Sequence, residues 1–449
     1  MTARNVTEQS RTTGTTDPVP VVTDSDPALT RPHPKVILHI GEPKTGTTFL
    51  QHVMWRNRAE LAAQGVGLPG HHPQDHYRAT QDLRDIPKRP DDPAASWTGE
   101  WEILAGQARQ ASRVAVISHE LFSAADADQA DRAVRSLLPA EVHLVITVRD
   151  IASLLPAEWQ ETIKHRNSRS WEDWLADVID RESVDADRRQ WWFWRVHDTL
   201  AILDIWSRHV PPEHVHVIVV PPRGSANDLL WQRFASLLDI DPASVDLSRA
   251  RPNSSLGMPE VEFLRQLNQV LPQEVPDWFY MWNVKETLAH RALAARRDGP
   301  RLILPASRDA WARSYAEAVA AALSESKYDI IGDVADLLPR PVAEPPTSPA
   351  DLPAEQVRDA AVAAAAALVA HMYRKAYPAA RPQHRPAAPR GLAQRVAPRR
   401  LVRRVGSSVI SSPRVKNTVR ELSSRFPAVR QLRIQLWRAV ERRREQGRR

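Results

Sequence analysis

The sequence predicts an α/β protein, a three-layer α/β/α arrangement around a mainly parallel sheet. Three observations predict it. Four apolar runs of strand length, Val36–Ile40, Val114–Ile117, Val142–Val148 and His214–Val220, alternate with segments of helical periodicity. The first run passes through a glycine-bearing turn directly into a helix, with Phe49, Leu50, Val53 and Met54 recurring at helical spacing. Polar residues close the first three runs, and in a parallel sheet the strand carboxyl ends are where ligands bind. Lys44 and Thr47 follow the first run, His119 and Glu120 the second, Arg149 the third.

Residues 1–33 are rich in Thr, Asp, Pro and Ser and read as a disordered leader. The α/β domain is expected over 34–340, with an insert at about 166–195. The polar segment Gly65–Trp101 looks irregular; His71, His72, His76 and Asp75 lie close together in it, a solvated loop rather than a metal site. Helices are predicted over Asp126–Leu138, Ile151–His165, Asp228–Leu238, Pro259–Val270, Ala310–Leu323 and Ala354–Tyr373. Tyr328–Pro339 reads as a packed turn, and 341–380 as a helical flank. Seven of the 15 tryptophans fall in Trp159–Trp206, as helix packing under a surface insertion or as aromatic faces for an acceptor. Within their apolar strands His39 and His143 read as core residues; His165, ending a helix after Lys164, suits a dipole role.

The chain has 449 residues, no cysteine and a net charge of +7. Disulfides, thiolate metal sites and a cysteine nucleophile are excluded, which fits a reducing interior. Residues 381–449 hold 20 Lys/Arg against 3 Asp/Glu, a surplus of 17, so the remainder carries −10. The globular part is thus acidic, and nothing in it calls for specific nucleic-acid binding. Within the basic tail Val429, Leu432, Leu436 and Val440 share one helical face among arginines, a pattern suited either to an anionic membrane surface or to a solvated arm. No secretory signal or transmembrane run is evident, so a cytoplasmic protein, peripheral at most at the inner membrane face, is expected.

The chemistry concentrates at Gly41–Thr48. A helix N-terminus offers unpaired N–H groups and about half a positive charge, a ready anion site. Gly46 admits a phosphate close to the backbone, and Lys44 adds a full charge. The loop is P-loop-like without being a Walker A motif, because the residue after Gly46 is Thr47 and the lysine precedes that glycine.

Pro43-Lys44-Thr45-Gly46-Thr47-Thr48 resembles the 5′-phosphosulfate loop of sulfotransferases that use 3′-phosphoadenylyl sulfate (PAPS). Val148-Arg149-Asp150 is similar to that family's 3′-phosphate motif. The family's serine usually lies about eight positions after the arginine, where this chain has Ala157; Ser153 stands one turn after Arg149. Arg251, Asn253 and Ser254, in a polar turn that suits an anionic nucleotide end or a plain helix N-cap equally, sit where a late cofactor loop is expected, without the signature of the cytosolic animal enzymes. The resemblance covers about 35–340 and implies sulfuryl transfer from PAPS to a hydroxyl or amine of a carbohydrate, glycolipid or small metabolite. It implies Lys44, Thr45, Gly46, Thr47, Thr48, Arg149, Ser153, Arg251, Asn253 and Ser254 as co-substrate contacts, Lys44 also as catalytic, and no metal. Glu120 or His119 would be the base, Glu120 preferred. A P-loop-type kinase using Mg-ATP, which would need a strand-ending Asp such as Asp150, and a non-catalytic nucleotide-binding membrane-associated protein are the alternatives.

Overall fold

Six parallel strands form one sheet in the order β2-β3-β1-β4-β5-β6. They are β1 (Lys35–Gly41), β2 (Val66–Gly67), β3 (Val114–Ser118), β4 (Glu141–Val148), β5 (Val215–Val219) and β6 (Asp329–Ile331). The computed structural model describes residues 33–87, 96–182, 191–249, 255–296, 299–340 and 348–376. Residues 1–32 of the expected leader, the basic tail 381–449 and Arg251, Asn253 and Ser254 lie outside that set.

Side chains alternate across the sheet as the two-residue strand period requires. Val36, Leu38, Ile40, Ala115, Ile117, Leu144, Ile146, Val148, Val217 and Val219 pack on one face, against the helices Glu100–Arg109, Ala127–Leu137 and Thr199–Trp206. Ile37, Val114, Val116, Val145 and Ile218 pack on the other, against Thr47–Arg56 and Leu229–Ala235. The result is the expected three-layer α/β/α fold. The central position of β1, between β3 and β4, places the loops after all three strands side by side.

A second apolar cluster joins the helices Ile151–Lys164, Trp171–Glu182, Met258–Val270 and Ala354–Ala376. It absorbs much of the tryptophan-rich span: Trp159, Trp171 and Trp194 are buried there, and Trp206 under the sheet, while Trp191 and Trp192 stay exposed. Packing accounts for most of those rings.

Two expectations are corrected. Gly65–Trp101 is largely regular: β2 pairs with β3, and a helix spans Pro73–Leu83. His72 caps that helix, accepting from the Gln74 N–H, and Asp75 completes the capping box. His76 is buried; one ring nitrogen faces the Ser118 N–H and the other the Pro69 carbonyl. The turn expected at Tyr328–Pro339 contains β6, which pairs with β5 from His216 to Ile218. Among the described residues no helix is long and apolar enough to cross a membrane.

Candidate active site at the carboxyl end of the sheet

The loop Glu42–Gly46 is fixed from below by the neighbouring strands. The Glu42 N–H donates to the Thr147 carbonyl at 3.0 Å, and the Thr147 hydroxyl to the Gly41 carbonyl at 2.9 Å. The Thr45 hydroxyl lies 2.5 Å from both the Glu42 carbonyl and the Thr147 hydroxyl. Thr45 is fully buried, so its side chain is committed to holding the loop. His39 bridges the layers below, 2.8 Å from the Ser118 hydroxyl and 3.4 Å from that of Thr147, and burial pushes its pKa down to about 4. It is the core residue its apolar strand suggests.

Two glycines are required here. Gly41 has φ +123°, and a Cβ would come 2.9 Å from the Glu120 carbonyl oxygen. That close approach brings the end of β1 against the end of β3. Gly46, at φ +89°, is the N-cap of the helix Thr47–Arg56, whose start has no side-chain cap. Its first-turn amides therefore face the loop without a capping side chain in front of them.

From the end of β3, His119 and Glu120 turn different groups inward. The His119 Nδ1 accepts the Leu121 N–H at 3.2 Å and caps the short helical turn Glu120–Ala124. In neutral His119 the proton therefore sits on Nε2, making that nitrogen a donor. The Glu120 carboxylate accepts from the Gln51 side chain at 3.0 Å. Burial opposes its charge, but His119, its hydrogen bonds and Lys44 hold its pKa below the usual value. Glu120 is thus an ionised acceptor in a region shared with Lys44.

Arg149, at the end of β4, donates to the Lys44 carbonyl at 3.2 Å. Asp150 caps the following helix by accepting the Ser153 N–H at 2.7 Å, and its other oxygen is 3.9 Å from the Arg149 Nε. Arg223, after β5, is exposed and close enough to Arg149 to weaken its hold on its proton, an effect secondary to burial. Lys44, Glu120 and Arg149 are brought together, with Ser153 one helical turn on.

The sequence reading misses what faces the Lys44 ammonium. Its Nζ donates to Glu161 at 2.5 Å. The same carboxylate receives Lys164 at 2.6 Å and Lys285 at 2.7 Å, with His165 at 3.2 Å. Burial alone would raise the Glu161 pKa; Lys44 first, then Lys164, His165 and Lys285 drive it well below the usual range. Burial likewise works against the Lys44 charge, and Glu161, Glu158 and Glu120 more than restore it. Three ammonium groups thus share one carboxylate beside the anion-ready helix start. Lys285 comes from the π-helix Met281–Ala292.

Beneath the loop, His197 lies fully buried between Glu42 at 3.6 Å and Glu158 at 3.5 Å. Burial opposes the imidazolium, yet the two carboxylates lift its pKa to about 9. The Thr199 hydroxyl donates to the other Glu42 oxygen at 2.5 Å. A charged layer therefore underlies the loop and fixes Glu42.

No family model and no curated protein matches the chain. Among solved structures, a sulfotransferase from Alicyclobacillus acidocaldarius aligns at 18% identity with a TM-score of 0.32, over 58% of this chain and 97% of that one. At that identity and TM-score the likeness is too slight to carry chemistry from one chain to the other.

Proposed function

We propose that this chain is a cytoplasmic sulfotransferase that moves a sulfuryl group from PAPS to an acceptor hydroxyl or amine. The observation that carries the reading is the meeting of three strand ends: the Arg149 guanidinium rests on the carbonyl of Lys44, and the Glu120 backbone lies against Gly41. An ammonium, a guanidinium and an ionised carboxylate thereby border one uncapped helix start.

In this reading the amides of Gly46, Thr47 and Thr48 bind the 5′-phosphate. Arg149, with Ser153 and Arg223 beside it, binds the 3′-phosphate by charge-assisted bonds, and Arg251, Asn253 and Ser254 would complete the nucleotide site. The acceptor oxygen or nitrogen attacks sulfur in line. The bond from sulfur to the bridging oxygen breaks, the electron pair leaves with adenosine 3′,5′-bisphosphate (PAP), and Glu120 takes the acceptor proton. Negative charge spreads over peripheral oxygens in such a loose transition state, so fixed cations supply the catalysis. Lys44 neutralises the bridging and leaving oxygens. Glu161 holds Lys44 beforehand, and an incoming anion takes its place, with Lys164 and Lys285 adding to the field.

His119 is the weaker candidate for the base, because its Nδ1 caps a turn and its neutral Nε2 carries the proton. The kinase alternative is disfavoured by Asp150, whose oxygens serve the helix cap and lie beside Arg149 instead of standing free for Mg²⁺. For the acceptor, the exposed rings of Trp278 and Phe279, just before the π-helix that carries Lys285, and of Trp282 at its start suit a carbohydrate or lipid-linked group. The basic tail supplies peripheral attraction to an anionic membrane.

Calorimetric titration with PAP, ATP and Mg-ATP tests the reading. PAP is expected to bind without metal and tighter than either ATP form. Preference for Mg-ATP would overturn the proposal in favour of a kinase. Glu120→Gln should leave PAP binding intact and lower transfer by about 10²- to 10⁴-fold; equal loss in His119→Ala and none in Glu120→Gln would reassign the base.

A further inference from the structure

The opposite end of the sheet carries a second cluster of ionisable groups, which sulfuryl transfer does not use. It lies where β4, β5 and β6 begin, about 20 Å along β4 from Arg149 at roughly 3.3 Å per residue. Glu141 opens β4 and His143 is its third residue. His214 precedes β5, His216 is the second residue of β5, and Asp329 opens β6. Alternation within β4 sets Glu141 and His143 on one face, His216 faces His143 from β5, and His214, in the turn just before β5, reaches the same cluster.

Their contacts form a chain. Glu141 lies 2.8 Å from the His143 Nε2, the His143 Nδ1 lies 2.8 Å from the His216 Nε2, and the His216 Nδ1 lies 2.7 Å from Asp329. Each of these three contacts needs one shared hydrogen. Two neutral imidazoles bring two, and the ionised carboxylates bring none. One contact must then set lone pair against lone pair, unless one further cation enters the chain. That cation is either a proton or a metal ion.

The geometry points to a metal. Glu141, His143 and His214 offer three donor atoms that all lie within 4.8 Å of one another. The His214 Nε2 is 3.4 Å from the same Glu141 oxygen that meets His143. Neighbouring ligands of a tetrahedral zinc ion stand about 3.3 Å apart, given bonds of about 2.0–2.1 Å. The other nitrogen of His143 is held by His216, itself held by Asp329, the outer support that ligating histidines commonly have. We propose that Glu141, His143 and His214 bind a divalent transition-metal ion of the zinc type, with water completing the shell.

Two features bear on the fit. The His214 ring stacks on His143 at 4.1 Å, so binding turns it slightly towards Glu141; at a quarter exposed it has room to do so. The nearby Lys35 ammonium opposes an incoming cation, but it is drawn off to the Leu237 carbonyl at 2.9 Å. Imidazole with carboxylate suits zinc, nickel and copper ahead of magnesium or calcium. The bound ion would tie β4 to the start of β5 and, through His216 and Asp329, steady the three-residue edge strand β6.

The test uses the full chain without an affinity tag, stripped with chelator and titrated calorimetrically with zinc chloride at neutral pH, then with cobalt for its visible spectrum. One ion per chain, a cobalt spectrum of tetrahedral type and a zinc-dependent rise in Tm are expected. His214→Ala and Glu141→Gln, both at partly exposed positions, should fold normally by circular dichroism and weaken binding at least about tenfold. Asp329→Asn, outside the ligand set, should weaken it by a smaller factor, which chance chelation by surface histidines would not do. Absence of zinc uptake, or uptake with equal affinity in His214→Ala and Glu141→Gln, would overturn the proposal.

Discussion

The two ends of one sheet solve opposite charge problems. At the carboxyl end three ammonium groups, Lys44, Lys164 and Lys285, share the Glu161 carboxylate, so cations are in surplus. At the amino end two imidazoles lie between Glu141 and Asp329, and the chain of contacts lacks one positive charge. The strands supply position to both ends equally. What differs is the residue that precedes or follows each strand, together with one helix face that covers only the carboxyl end. The surplus favours an anion and the deficit favours a cation, so each end can be broken independently of the other.

After Glu120→Gln, the largest effect is expected from Lys44→Ala. It removes the one ammonium in the loop itself, and loss of a group aimed at developing charge typically costs about 10²- to 10³-fold in turnover. PAP affinity should also fall, while Tm changes little, because Glu161 keeps Lys164 and Lys285 as partners. Zinc binding at the far end should be unaffected. A variant that retains transfer within about tenfold would remove Lys44 from the chemistry.

Folding stability should respond to pH from both sides, through buried histidines held in opposite states. The His197 pKa is raised to about 9. Its contribution is complete below the unfolded value of about 6.5 and is lost as pH rises through 9, by roughly 3 kcal/mol. His39 and His76 are lowered to about 4 by burial. Their contribution is present above about 6.5 and is lost as pH falls through 4. Denaturant melts across this range should therefore peak near pH 6.5. In His197→Gln the alkaline decline should disappear while the acid decline remains. An unchanged alkaline limb would mean that Glu42 and Glu158 do not hold a charged His197.

Much of this was legible in the sequence. The runs Val36–Ile40, Val114–Ile117 and Val142–Val148 are unbroken, mostly apolar and closed by Lys44, Glu120 and Arg149, so three strands and their polar ends can be read directly. β2 and β6 cannot, because two and three residues at the sheet edges leave no period to detect. The cap formed by His72 and Asp75 was hidden because histidine is an uncommon N-cap. Glu161 was invisible for a different reason. A glutamate within a helix reads as solvated face, and its partners Lys44 and Lys285 are separated from it by 117 and 124 residues. The local spacing to Lys164 and His165 was the one available signal, since residues three and four apart on a helix meet. The amino-end cluster was half visible. His143 looked like core, and it is buried, but only the pairing of β4 with β5 and β6 gives its nitrogens something to face.

The smallest expected effect sharpens the comparison most. Glu161→Gln deletes the carboxylate that the three ammonium groups share while keeping its shape. If Glu161 stands where an anion of the co-substrate will bind, its removal takes away a competitor. PAP affinity should then rise by about 1 kcal/mol, roughly fivefold, the scale of one partly exposed ion pair. Tm should fall at the same time, because Lys44, Lys164 and Lys285 lose the carboxylate that offsets their mutual repulsion. The two readouts move in opposite directions only if the knot is a site kept ready by an internal stand-in. Should PAP affinity fall together with Tm, Glu161 is a scaffold that aims Lys44, and the surplus of cations at this end serves folding more than ligand capture.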